Sequence, residues 1–136
     1  MSRDVLGIQG SPVGFYHEIL ADDDFDTLPG GLLVAAAARD GSATYLNKGL
    51  ILVKITSGTG TGQYAHFNSG ASNGQQDAST AVVLMYDVDV TDGEPKMAGA
   101  YVRCSIYSSS LRGQPAGASD KAKYNQRIFT VDYVRQ

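Results

Sequence analysis

Ser72 stands in Gly70-Ala-Ser-Asn-Gly74, the G-x-S-x-G spacing that holds the nucleophile of many serine hydrolases on a strand-to-helix turn. That chemistry needs a general base, and the chain has only two histidines, His17 and His66. Strand-like segments flank the motif on both sides, so it is predicted to be a connecting turn. Gly58-Thr-Gly-Thr-Gly62 has the composition of a phosphate cradle but lacks the Gly-Lys-Ser/Thr of a P-loop and the spacing of a dinucleotide loop. A strand follows it, and it reads as a hairpin tip.

The aspartates invite a calcium template. Started at Asp22, the template puts Thr27 at the glycine position and Leu33 at the bidentate glutamate; started at Asp87, it puts Asp92 and Ala98 there. Both fail. A weak cation site of another geometry stays open, beside the plainer reading of a solvated acidic run. His17 and His66 lack the i, i+4 spacing of a helical zinc pair. Cys104, the single cysteine, has no partner for an internal disulfide and falls on an inferred core face. No catalytic residue, metal ligand or cofactor follows from these patterns, and the chain is not expected to be an enzyme.

Of the 136 residues, 43% are hydrophobic and only 18% charged, with 16 Gly and no Trp. Such a composition predicts one β-rich, turn-rich domain. A net charge of −3 argues against direct binding of nucleic acid through phosphate neutralisation. The longest apolar run, 32–38, is far short of the ~18 residues that cross a bilayer, so no membrane partner is expected. Met1-Ser-Arg-Asp-Val-Leu-Gly7 lacks the apolar stretch of a secretory signal, which predicts a soluble protein of the cytoplasm where it is made. Charge is unevenly placed. Up to Asp40, two Arg face seven acids, whereas from Gly41 onward nine Lys/Arg face seven acids.

Residues 1–31 read as an extended N-terminal arm. Val5, Leu6, Ile8, Val13, Phe15, Tyr16, Ile19 and Leu20 are interrupted by Gly7, Gly10, Pro12 and Gly14, so neither a helical nor a strand period holds. The acidic run Asp22–Asp26 and then Pro29-Gly-Gly31 close the segment. A stretch this apolar and this broken gains order by lying on something else.

Residues 32–136 read as the β domain. Strands are expected over 32–38 (with a helix as the rival reading of its alanines), 50–56, 63–67, 81–90, 101–107 and 128–134, the second and third joined as a hairpin. Alternation places Val102, Cys104 and Ile106 on the core face. One helix is expected over 120–127, capped by Ser119 or Asp120, with Arg127 near its end.

Ordered pieces of this sequence resemble the head decoration proteins of tailed phages, the lambda decoration protein among them. They are Leu46-Asn-Lys-Gly-Leu-Ile-Leu-Val-Lys-Ile-Thr56, Gly62-Gln-Tyr64, Ala71-Ser-Asn-Gly-Gln75 and Val83-Leu-Met-Tyr-Asp-Val-Asp89, followed by Gly117-Ala-Ser-Asp-Lys-Ala-Lys123 and Arg127-Ile-Phe129. Asn73 stands where the family often has Asp, and the arm is longer and more acidic than the family's. The resemblance spans about residues 32–136. It implies a β-clip-like small barrel or sandwich that assembles as a homotrimer on threefold sites of the expanded capsid's outer surface and braces the shell. The major capsid protein is then the partner, with the eight apolar arm residues Val5 to Leu20 docking on coat subunits. The trimer interface itself is not legible.

Two other readings stand beside it. One is a carbohydrate- or receptor-binding module on a virion, with tyrosines such as Tyr101 and Tyr107 stacking on sugars. The other is a trimeric nucleotide hydrolase of the same fold, which would need a carboxylate where Ala98-Gly-Ala-Tyr101 has tyrosine.

Overall fold

The fold is described from a computed structural model over residues 19–22, 24–35 and 45–132. The strands in chain order are β1 (Asp26–Thr27), β2 (Leu32–Val34), β3 (Tyr45–Leu46), β4 (Ile51–Lys54) and β5 (Tyr64–His66). They continue as β6 (Val82–Leu84), β7 (Val88–Asp89), β8 (Lys96–Ala98), β9 (Ala100–Tyr107) and β10 (Ile128–Val131). A 3-10 turn, Ala78–Thr80, precedes β6, and a short helix, α1 (Ala118–Ala122), precedes β10. The domain is mainly β with one short helix among the described residues, as expected.

β4 and β6 are apolar on both faces because both faces are covered. Ile51, Val53 and Val83 enter one core with Tyr101, Cys104, Ile106 and Ile128. Leu52, Val82 and Leu84 enter the other, with Val34, Ala65, Val90 and Ala98. The sheet between these cores runs β1-β9-β6-β4-β5-β2-β8, with β10 also on β9, and β3 and β7 form a separate pair. The result is barrel- or sandwich-like and does not close. Most pairs are antiparallel; β2 with β5 and β9 with β10 are parallel.

The β4–β5 hairpin turns through Gly58, Gly60 and Gly62, all at positive φ. Gly74 closes the G-x-S-x-G stretch for a related reason. Its φ is +112°, and a Cβ there would lie 2.6 Å from the Lys54 carbonyl and 2.7 Å from the Thr56 nitrogen. The motif is a turn, and its last glycine serves close backbone approach.

Three expectations are corrected. The run 81–90 is two strands rather than one, because beyond Met85, whose N–H still donates to the Gly99 carbonyl, the chain leaves β9 and the Asp87 carboxylate accepts from Lys48 N–H. The helix spans 118–122 rather than 120–127, with Gly117 as its N-cap and no side-chain cap. Its intended last turn is diverted by Arg127, whose guanidinium donates to the carbonyls of Ala81, Val102 and Ser79 at 2.9–3.0 Å. On β9, Tyr101 rather than Val102 shares the core face with Cys104 and Ile106, and Val102 packs half-buried against the other core, because the register shifts opposite Asp26–Thr27 and breaks the simple alternation. The strands begun at 32 and 128 run to Val34 and Val131; 36–38 and 133–134 lie outside the described residues.

Candidate functional site

The segment assigned to the arm is anchored along β9 in its described part. Tyr107 N–H donates to the Ile19 carbonyl, Ala21 N–H to Ser105 at 2.7 Å, and Leu28 N–H to Ala100 at 2.9 Å. Leu20 bridges Ile106, and Asp26 and Thr27 pair with Arg103 and Tyr101. Residues 19–22 and 24–28 are thus a strap antiparallel to the longest strand. Phe25 sets its ring edge against Tyr101, with centroids 5.1 Å apart at 77°. The Arg103 fork spans two carboxylates, Nε to Asp26 and a terminal nitrogen to Asp24, each at 2.8 Å. The acidic run is therefore in part an anchor rather than only a solvated face.

The hydrogen bond from Arg103, then its charge, holds the Asp24 carboxyl below its ordinary 3.8. A depressed carboxylate contributes in full above its unfolded-state pKa and loses that contribution as the pH falls through the folded one. Amide exchange protection at Ala21 and Leu28 is therefore expected to hold above about pH 4 and to drop several-fold in stronger acid. Arg103→Gln should show the weakened protection already at neutral pH and little further change in acid. Protection equal in the two proteins at neutral pH would remove the anchor from the account.

Of the eight residues assigned to docking, Val5, Leu6, Ile8, Val13, Phe15 and Tyr16 lie outside the described residues. Ile19 and Leu20 are each 5% exposed, inside the core beside Ile106 and Ile128. Those two side chains cover the chain's own sheet and are not available to a coat subunit. The boundary drawn at residue 31 accordingly falls inside the folded unit, since 19–31 contribute a strand and core residues to it.

Ile19 lies beside the Tyr107 end of β9, and β10 ends at the same place, where Ser108 N–H donates to the Val131 carbonyl. A depression of about 230 Å³ opens there, lined by Ile19, Lys48, Asp87, Ser109, Ser110 and Arg112.

Chemistry elsewhere is limited by burial. Cys104 is 1% exposed, and desolvation pushes its thiol up to about 12, away from the thiolate a nucleophile needs. Tyr101 is fully buried and its hydroxyl is likewise pushed up to about 12 by desolvation. The stacking role proposed for it is corrected: that ring fills the core. Tyr107 is half-buried. Ser72 is exposed on its turn, whose neighbouring amides serve the turn itself, Asn73 bonding Gln75 and Gln75 the His66 carbonyl. Among the described residues no group of three or more His, Cys, Asp or Glu could hold a metal ion, and no helix is long and apolar enough to cross a membrane.

Sequence reasoning missed the most exposed apolar side chains, Met97 (67%), Tyr45 (55%), Tyr86 (47%), Phe129 (44%) and Val131 (40%). Ile128-Phe-Thr-Val131 carried a signal, being apolar on both faces in a strand that has cover on only one. Comparison with models of protein families, with curated proteins and with solved structures found no match.

Proposed function

We propose that this protein is a structural component of a phage particle, a homotrimer that binds the outer surface of the expanded capsid at threefold sites and braces the shell. Residues upstream of Ile19 dock on the major capsid protein. The observation that carries this reading is the strap: residues 19–28 are bonded along β9, giving eighteen further residues, six of them among the apolar docking set, a fixed root on the domain. The ordered motifs of residues 46–129 supply the family to which the reading appeals. Binding rather than catalysis fits a buried thiol and a serine set on a turn. Multiple copies on a closed shell, each trimer engaging several arms, turn modest single contacts into firm attachment.

The test uses expanded, undecorated shells and two proteins, the full chain and one lacking residues 1–17. The cut spares the strap, so the shortened protein should keep its circular dichroism and melting temperature. The full chain is expected to cosediment with shells to saturation and the shortened one to remain in solution. Equal binding by a folded, shortened protein would show that the segment does not dock.

A further inference from the structure

A depression of about 260 Å³ lies where β3, the end of β5 and the segment after Leu111 meet. Its apolar lining includes Leu46, buried, and Leu50, half-buried, and both pack on the core that holds Leu52 and Val82. Tyr45 lines it as an exposed aromatic, and its polar lining is Asn47, His66 and Arg112. Apolar side chains with a few converging polar groups are the usual make-up of a small-molecule site.

The lining stands on bonded backbone. Tyr45 and Leu46 pair with Asp89 and Val88. Arg112 N–H donates to the Gly49 carbonyl and Ile51 N–H to the Arg112 carbonyl, each at 2.9 Å, which holds Arg112 against the start of β4. Gly113 follows at φ +67°, and a Cβ there would lie 2.6 Å from Leu50 Cδ1. Only glycine allows the close approach to Leu50 that shapes this side of the depression.

Charge in the lining has one sign. Arg112 is the one arginine or lysine among the described lining residues, and none of them is Asp or Glu. Asp89, opposite Tyr45, accepts from the N–H and the hydroxyl of Thr91, and Asp87 accepts from Lys48 N–H. Among the described residues, no ion pair or side-chain hydrogen bond engages the Arg112 guanidinium. A planar fork of donors matches a carboxylate through two parallel bonds.

We propose that this depression binds a small carboxylate with a flat apolar body, the carboxylate on Arg112 and Asn47 and the body against Tyr45, Leu46 and Leu50. Free aromatic acids and the C-terminal residue of a peptide share that chemistry. A sugar, hydroxylated on every side, would leave polar groups against the two leucines. The site calls on no residue upstream of Ile19, so its failure and the failure of the capsid reading are separate results.

Nitrogen–proton correlation spectra of the full-length protein, titrated with phenylacetate, phenylacetamide, acetate and N-acetylphenylalanine, test the site. Phenylacetate should shift the amides of Asn47, His66, Arg112 and Gly113 saturably. Phenylacetamide lacks the charge and acetate lacks the body, so each should bind at least about tenfold more weakly. Arg112→Gln should abolish the preference for acid over amide, whereas Tyr45→Ala should weaken phenylacetate and keep that preference. Tighter binding of N-acetylphenylalanine than of phenylacetate assigns the site to a chain terminus, and the opposite order assigns it to a free acid; both support the site. Unchanged circular dichroism keeps lost binding apart from lost folding. The proposal is overturned if no probe shifts these amides saturably, if acid and amide bind equally, or if Arg112→Gln keeps the preference.

Discussion

Tyr101→Ala is expected to cost about 3–5 kcal/mol, the range for truncating a large buried aromatic, out of a total of about 5–15 kcal/mol for a domain of ordinary stability. The ring is fully buried where three strands meet: Tyr101 pairs with Thr27 of β1 on one side and Val83 of β6 on the other. Its edge contact with Phe25 ties the strap to the same point. No neighbouring backbone can collapse into the space without moving the sheet. The melting temperature should fall by roughly 10–20 °C. Tyr101→Phe keeps the ring and should stay within about 1–2 kcal/mol of the wild type. A fall of only a few degrees for the alanine variant would contradict the burial of this ring in the core.

Arg127→Ala should cost about 2–4 kcal/mol. Three carbonyls, of Ala81, Val102 and Ser79, lose a charged donor at once, and hydrogen bonds to charged groups carry about 1.5–3 kcal/mol each before water replaces part of the loss. The side chain is half-buried, so that replacement is partial. Arg127→Lys should recover less than half, because an ammonium cannot span three acceptors with the planar fork of a guanidinium. The same change should loosen β10, whose first ladder bond runs from Cys104 N–H to the Arg127 carbonyl. Denaturant titration gives the cost and exchange at β10 amides gives the place. Full recovery by lysine would show that charge rather than geometry holds this junction.

Arg127 also shows what could be read from the sequence and what could not. Its position near the end of a helical stretch suggested a favourable end charge, which is a local argument. Its actual partners lie 25 to 48 residues away, and no local pattern reports them. β4, β9 and the apolar run that holds β6 were legible for the opposite reason: each is apolar or β-branched over several consecutive residues. β1, β3 and β8 were not. Each has two or three residues and is held by what it pairs with, Asp26–Thr27 by β9 and Lys96–Ala98 by β2.

The docking segment divides along the same line. Ile19 and Leu20 look like Val5 or Phe15 in sequence, because an apolar side chain does not say whose surface it will cover. The structure separates them, placing Ile19 and Leu20 on the chain's own sheet. Phe129 and Val131 pose the converse case: they fall in a stretch that reads as a strand, yet they are 44% and 40% exposed.

The central claim is mechanical: bound in many copies, this protein stiffens a shell. It is tested most directly by loading expanded shells to saturation with the full-length protein and measuring the force or temperature at which they rupture, against bare shells. The account predicts that rupture shifts upward in step with the number of bound trimers and levels off when the threefold sites are full. Saturated shells that break where bare ones do would contradict it.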